Sequence, residues 1–228
     1  MANDGEAVRR NGHPTLHEEV VSWLRDRIVE GEFEPGSHVP ERLICERLGI
    51  SRTPLREAYK VLASEHLLTL LPNRGAVVAR LSTQDVEDAM QMMATLEGLA
   101  GELLCARISD AEIGAIRSLH EEMVGHHEAG RLMDYFKINQ RIHDELVKAS
   151  GNALLLKTYL GVGSRFRRFR YAGNRAESRW RRAVLEHEQI LMVIEDRDGE
   201  LLGHLMRAHV RNGWKVVKDS LRTELEPE

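Results

Sequence analysis

The chain has 228 residues, of which 42% are hydrophobic and 30% charged, and its formal net charge is −4. This length allows one large domain or two modest ones with a hydrophobic core. No apolar run approaches the roughly 18 to 20 residues of a membrane span, and the N-terminus lacks a signal-peptide core, so we expect a cytoplasmic protein with no membrane association. Two cysteines, Cys45 and Cys105, have no C-x-x-C partner and fit a reducing compartment.

The distribution of charge along the chain is uneven. A mildly acidic total argues against a nucleic-acid partner, because phosphate binding needs Lys and Arg. However, residues 41–80 carry a net charge of +3 and residues 164–182 carry +7, while the other segments are acidic or balanced. Two basic segments in an acidic chain each need their own explanation.

The N-terminal third predicts a small domain of helices and a hairpin. Polar residues 1–13 predict a disordered lead. Beyond them, helical periodicity, caps and turn residues predict a domain over residues 14–82. Its predicted elements are helices at about 15–30 and 40–48, a helix capped by Ser51 or Thr53 with Pro54 in its first turn, and hairpin strands at 67–71 and 76–81.

The remainder of the chain, residues 83–228, predicts long helices joined by short links, with no strand signal. Such a pattern is typical of an antiparallel bundle of six to seven helices, and the fold class is mainly α. The predicted helices cover about 83–107, 110–129, 132–149, 153–172, 175–196 and 199–223, and the second of them opens with a capping box at Ser109 and Glu112.

Arginines cluster at the start of the third predicted helix. Helix, short turn and helix can place the second helix in the DNA major groove, with its N-terminal residues on base edges. Arg52 and Arg56 share one helix face, and a guanidinium binds guanine or phosphate in bidentate fashion. A three-helix packing unit with a solvated face would show the same geometry. The full set of candidate DNA contacts is Arg42, Ser51, Arg52, Thr53, Arg56, Arg74 and Gly75.

The order of residues in this segment closely resembles the winged helix-turn-helix of the GntR family of bacterial transcription regulators. The resemblance rests on Pro35-Gly36, Glu41-Arg42, LGISRTPLREA at 48–58, Leu62 and RGAVV at 74–78. It implies that Arg42, Arg52 and Arg56 contact the operator and that Gly75 is the wing glycine that approaches the minor groove. His66 departs from the family, which usually has Gly there, and Tyr59 replaces a common Leu.

Residues 83–228 contain seven histidines, most of which have ordinary surroundings. His120, His126 and His127 lie on a charged helix, and we predict that they face solvent. Asn139 and His143 share a helix face beside apolar residues, and His187 and His209 lie at the apolar edges of two further helices. Three imidazoles meeting inside a bundle can form a metal site completed by an oxygen ligand, although buried, hydrogen-bonded histidines are the simpler interpretation.

These histidines also carry a second resemblance, to the FCD ligand-binding domain of the FadR branch of the GntR family. It covers nearly all of residues 83–223 and rests on Ile138-Asn139, Ile142-His143, SGN at 150–152, Glu186-His187 and MRAHV at 206–210. It implies a divalent metal, Zn in the first place with Ni or Mn as alternatives, held by Asn139, His143, His187 and His209. Asn139 replaces the commoner Asp, which removes a charge from the site, and Met93 replaces an Arg that in some relatives helps to hold an effector carboxylate.

The +7 segment offers arginines for that second role. Most of a charged run is solvated, but not all of these side chains can point outward on a helix. We select Arg165 and Arg175 as candidate contacts to an anionic effector.

Together these features predict a ligand-responsive transcriptional regulator, a repressor released by a small organic acid. A homodimer would bind a pseudo-palindromic double-stranded operator. One alternative is a regulator whose effector is the metal itself. The other is a metal-dependent hydrolase with Glu186 as its acid or base, but the position of Glu186 on its helix disfavours it, and we expect no enzyme activity.

Overall fold

The computed structural model describes residues 15–174 and 177–225, without the side chains of 165, 173, 177, 178 and 219–225. Residues 1–13, the predicted disordered lead, lie outside this range. The predicted fold class is confirmed: a winged helix-turn-helix precedes a helical bundle. The N-terminal head contains α1 (Leu16–Glu30), α2 (Glu41–Leu48), α3 (Arg52–Ser64), β1 (Leu68–Leu71) and β2 (Gly75–Val78).

Local signals start and stop the helices of the head. Thr15 and Glu18 form a capping box at the start of α1, which satisfies backbone N–H groups that have no partner within the helix. Gly49 ends α2 at φ +64°, in the left-handed region that glycine adopts without steric cost. Ser51 occupies the N-cap position of α3, but its side chain makes no capping hydrogen bond to the described residues.

The wing is a two-stranded antiparallel hairpin in which Leu68 pairs with Val78 and Leu71 with Gly75. The second strand begins one residue earlier than predicted and ends at Val78 rather than at residue 81. His38 adds an isolated antiparallel bridge to Val77, which the sequence pattern did not indicate. This bridge ties the segment before α2 to the wing.

The C-terminal part contains seven helices in the described residues, at the upper end of the predicted range. The predicted helix at 153–172 is wrong in one respect, because it breaks at Phe166 into two helices. The seven helices are α4 (Thr83–Leu104), α5 (Asp110–Glu128), α6 (Leu132–Ala149), α7 (Ala153–Arg165), α8 (Arg167–Gly173), α9 (Glu177–Glu195) and α10 (Gly199–Leu225). None of them, over the described residues, combines the length and hydropathy of a membrane span.

Helices α4 and α10 pack most closely in this bundle. A Cβ atom on Gly101 would lie 3.0 Å from the Cα of Gly203, so the two backbones touch where both helices lack side chains. This close approach holds α10, and with it His209, against α4. The apolar core on either side includes fully buried Leu104, Leu202 and Met206.

The head contacts the bundle through α1. Val29 of α1 packs with Phe136 of α6 and Tyr171 of α8, and the two aromatic rings meet edge to face with centroids 5.3 Å apart. Beside this apolar contact, Lys137 donates to the carboxylate of Asp26. The short helix α8 therefore lies between the head and the interior of the bundle.

Candidate DNA-binding surface and metal centre

The first turn of α3 presents polar side chains to solvent. Ser51, Arg52 and Thr53 are all exposed, while Leu55 and Ala58 on the opposite face are fully buried in the head. Arg52 makes no hydrogen bond or ion pair with any described residue, so its guanidinium is available to a ligand. The apolar face fixes the rotation of α3 about its axis and thereby directs Arg52 outward.

The other two arginines of the helix-turn-helix pair with acids of α2. Arg56 donates to both carboxylate oxygens of Glu41, at 3.2 and 3.3 Å, and Arg42 donates to Glu46 at 2.7 Å. Both guanidiniums remain well exposed. Glu41 thus orients Arg56 across the turn without removing it from the surface.

The wing tip completes the same side of the head. Arg74 is exposed, and Gly75 has φ +79°, a backbone conformation that strains other residues. A Cβ atom at Gly75 would lie 3.3 Å from Oε1 of Glu41, the carboxylate that holds Arg56. Glu41 therefore connects α2, α3 and the wing.

Three histidines from three helices meet inside the bundle. His143 of α6, His187 of α9 and His209 of α10 are buried, and their ring centroids are 4.7 to 5.1 Å apart. One nitrogen from each ring lies within 4.8 Å of the other two. Asn139, one turn before His143 on α6, is also buried.

Two carboxylates engage the outer nitrogens of this cluster. Glu97 of α4 is fully buried, and its Oε2 lies 2.7 Å from Nδ1 of His143. Glu186 of α9 places its Oε2 2.7 Å from Nδ1 of His209. A carboxylate hydrogen-bonded to Nδ1, as that of Glu186 is to His209, fixes the orientation of the ring, as around metal-binding histidines.

Burial favours the neutral form of two of these imidazoles, those of His187 and His209. Desolvation, reinforced by the neighbouring histidines, lowers the pKa of His187 well below its usual value. Desolvation also lowers the pKa of His209 to about 4, against the opposing effect of its hydrogen bond to Glu186. Burial alone would raise the pKa of Glu186, but the hydrogen bond and charge of His209 and the charge of Arg179 lower it to about 2. Neutral imidazole is the form that binds metals.

The buried polar atoms fit a divalent cation. Among the described residues, Oδ1 of Asn139 and Nε2 of both His143 and His187 are buried without a hydrogen-bond partner. Such groups are costly to bury unless a ligand satisfies them. Three imidazole nitrogens and a carbonyl oxygen suit zinc and the neighbouring transition metals.

A cavity of about 50 Å³ adjoins this cluster. Asn139 and His209 line it together with Arg170 of α8 and Arg179 of α9. The Arg170 side chain is 13% exposed and approaches Glu97 Oε1 at 3.6 Å, while Arg179 donates to Glu186 at 2.8 Å. The cavity is therefore lined by two candidate metal ligands and two arginines.

Comparison with known proteins supplies the family. The family model described as "Bacterial regulatory proteins, gntR family" matches residues 16–78, and the FCD domain model matches residues 88–212, more than half of the chain. The chain belongs to the GntR family of transcriptional regulators with an FCD domain. Regulators of this family bind DNA operators and are not enzymes, and their FCD domains are often associated with a metal.

Two relatives of this regulator cover most of its length. The Nta operon transcriptional regulator of Aminobacter aminovorans is 31% identical over 199 residues, which is 85% of this chain and 90% of the relative. The probable D-xylose utilization operon transcriptional repressor of Paenarthrobacter nicotinovorans is 30% identical over 84% of this chain and 85% of its own. Among solved structures, McbR/YncC of E. coli covers 92% of this chain and all of its own, with a TM-score of 0.78 at 18% identity.

The arginines that line the cavity differ from those selected from the sequence. Arg165 and Arg175 lie outside the described side chains and residues, so their candidate roles stay predictions. Arg170 and Arg179 belong to the same +7 segment, in which the sequence does not distinguish them from the other arginines. Glu97 carries no comparable signal, because a single carboxylate on a long helix is ordinarily exposed.

Proposed function

We propose that this regulator is a homodimeric repressor that leaves its operator when a small organic acid binds beside a divalent metal in the FCD domain. The observation that carries this proposal is the convergence of unpartnered ligand atoms next to a cavity lined by Arg170 and Arg179. The Paenarthrobacter relative is named a probable transcriptional repressor, which supports repression rather than activation. Contact with an operator also implies a cytoplasmic location.

In the head, exposed Arg52 at the start of α3 is suited to read a base edge in the major groove, with Ser51 and Thr53 beside it. Arg56 and Arg42 would turn to phosphates or bases, with Glu41 holding Arg56 in position. Arg74, beside Gly75, would reach the adjacent minor groove. Two such heads fit a pseudo-palindromic site.

The second copy would cover an apolar face of the bundle. Met92 and Leu99, spaced seven residues apart on α4, and Leu160 of α7 are 49, 38 and 46% exposed. The two helices are neighbours, since a Cβ atom on Gly163 would touch the side chain of Met93. Exposed apolar side chains on neighbouring helices are typical of a protein interface, and a two-fold contact would bury them on both copies.

At the metal centre, Asn139, His143, His187 and His209 would hold the cation, with zinc expected and nickel or manganese as alternatives. When bound, the cation supplies a Lewis-acidic position for a carboxylate oxygen. Arg170 and Arg179 line the adjoining cavity and would neutralise the rest of a small acid.

Helix α8 connects the cavity with the head. Arg170 faces the cavity and Glu97, whereas Tyr171 packs against Val29 of α1. An effector that draws Arg170 away from Glu97 would shift α8 and change the packing of Tyr171 on the head. Differential contact of this kind is what a ligand needs to alter an equilibrium between two arrangements.

Operator binding tests the DNA-reading assignment. Wild-type protein first selects an operator from a random duplex library, and its affinity is then measured by fluorescence anisotropy over a range of salt concentrations. Arg52→Ala is expected to cost roughly 1 to 3 kcal/mol and relax base preference, and Arg42→Ala to reduce the salt dependence by about one phosphate contact. Lys60→Ala removes an exposed charge farther along α3 and serves as the control. Wild-type binding by both arginine variants contradicts the assignment.

A second experiment separates the organic acid from the metal as effector. Metal analysis of the purified protein is followed by operator titration with and without a chelator, and then with a panel of small acids. We expect stoichiometric metal, and release from the operator only when an acid is added to metal-loaded protein. Release on metal addition or removal alone, in the absence of acid, identifies the metal-responsive alternative. Protein that binds its operator but no metal overturns the proposed metal centre.

A further inference from the structure

A second cavity lies at the junction of the head and the bundle, away from the histidines. Its volume is about 220 Å³, several times that of one water molecule. Helix α1 contributes one wall, and α6 and α8 contribute the others. Four basic and two acidic side chains line it: Arg25, Lys137, Arg141 and Arg167, with Asp26 and Asp144.

Two of the basic side chains are already paired. Arg25 donates from Nε to Glu65 at 2.8 Å, and a second bond makes this pair bidentate. Lys137 donates to Asp26 across the junction. These pairs neutralise part of the cavity wall and join the head to the bundle.

The other two basic side chains have no such partner. Arg141 and Arg167 make no hydrogen bond or ion pair with any residue that the structure describes. Arg167 is partly buried, and desolvation together with the charge of Arg25 lowers its pKa, although the charges of Glu65 and Asp144 act in the opposite direction without forming a direct ion pair. Partly buried arginines are normally paired, because loss of hydration without a counter-charge is unfavourable.

Two further residues bear on the balance of charge and hydrogen bonding. Gln140 lines the cavity and is buried, and its amide Nε2 has no hydrogen-bond partner among the described residues. Asp144 is the acid that remains without a salt bridge there. Burial raises the pKa of its carboxyl group, although the charges of Arg170 and Arg167 act in the opposite direction. The cavity thus has more donors and positive charge than its own acids satisfy.

We infer that this cavity is a binding site for a small oxyanion of the size of phosphate or a short dicarboxylate, held by Arg167 and Arg141. A guanidinium fork matches carboxylate and phosphate oxygens in bidentate geometry, and Gln140 adds a neutral donor nearby. The site does not depend on the proposed metal centre. Because its walls come from both the head and the bundle, the bound anion ties α1 to α6 and α8 and favours the head position seen here.

Isothermal titration of the full chain with inorganic phosphate and, separately, with succinate tests this inference. At low salt we expect one anion per chain for at least one of the two probes, and the preferred probe distinguishes a phosphate source from a carboxylate source. Arg167→Gln and Arg141→Gln are each expected to weaken binding about tenfold or more. Arg211→Gln removes an equivalent exposed arginine of α10 that lines neither cavity and should bind like wild type.

Repeating the titration after chelation separates this site from the metal centre. Retained binding in metal-free protein, together with its loss in folded Arg167→Gln, supports the inference; circular dichroism and thermal melting establish that the variant is folded. The inference is overturned if neither probe binds saturably. It is also overturned if Arg167→Gln and Arg141→Gln both bind like wild type, or if chelation alone abolishes binding. The operator and metal experiments above are unaffected by any of these outcomes.

Discussion

Replacing Glu186 by Gln should weaken metal binding although it changes none of the proposed metal ligands. The Glu186 carboxylate accepts hydrogen bonds from His209 at 2.7 Å, Arg179 and Asn212 at 2.8 Å, and Arg182 at 3.2 Å. A glutamine has nearly the same shape but only one acceptor oxygen. Its NH₂ group is itself a donor and would face two of these hydrogen-bond donors without accepting from them.

The size of the effect follows from these contacts. A hydrogen bond to a charged group contributes about 1.5 to 3 kcal/mol, and loss of the outer partner of a metal-binding histidine typically weakens metal affinity 10- to 100-fold. Glu186 has a side chain only 13% exposed, so solvent compensates little for the lost charge. We therefore expect zinc affinity to fall by roughly 10- to 100-fold, which corresponds to about 1.4 to 2.7 kcal/mol.

Competition with a chromogenic chelator measures this change on metal-free protein. Glu188→Gln removes an exposed carboxylate two residues away on α9 and should keep wild-type affinity. The melting temperature of the metal-free variant shows whether the fold survives the substitution. Unchanged zinc affinity in Glu186→Gln, with normal affinity in the control, would refute the argument that Glu186 orients His209 for metal binding.

Three other substitutions have defined outcomes. Leu62→Ala, at a fully buried position of the head, should lower the free energy of unfolding by about 2 to 5 kcal/mol in urea denaturation. The control Leu70→Ala, at a position that is 45% exposed, should change it by less than about 0.5 kcal/mol. Similar losses in the two variants would contradict the assigned core. His66 has φ +58°, so His66→Gly should raise stability by up to about 1 kcal/mol in the same assay, and a loss would show that side-chain contacts outweigh strain. If the chain forms the proposed homodimer, Leu99→Glu should convert it to a monomer in sedimentation, and a dimer unchanged by the substitution would exclude the face on α4 as its interface.

Much of the fold follows from local sequence. The capping box at Ser109 and Glu112 begins α5 as predicted, and Gly49 and the Pro54 first turn bound the helices of the head. Each of these features depends on residues within about one helical turn of one another, so it can be recognised from the sequence alone. The resemblance to the GntR family at residues 48–58 and 74–78 likewise depends on short contiguous segments of the sequence.

The break between α7 and α8 shows where local signals end. Residues 165–167 contain neither proline nor glycine, and the sequence therefore predicts one continuous helix. In the structure Phe166 leaves helical geometry, with φ −108° and ψ 7°, and its ring is buried with Tyr159 and Met93. Packing of Phe166 in the bundle outweighs helix propensity at this point. The break directs α8 toward the head.

The sequence by itself determined the family, the order of the helices, the wing and the residues available as ligands, because each depends on short-range patterns. Only the tertiary structure decided which charged groups are buried together. Glu97 and Arg170 are far apart along the chain, and nothing local distinguishes Arg170 from the other arginines of its segment. Their burial results from the packing of α8 against α10, which itself packs against α4. This arrangement brings compensating charges together and makes the desolvation of each tolerable.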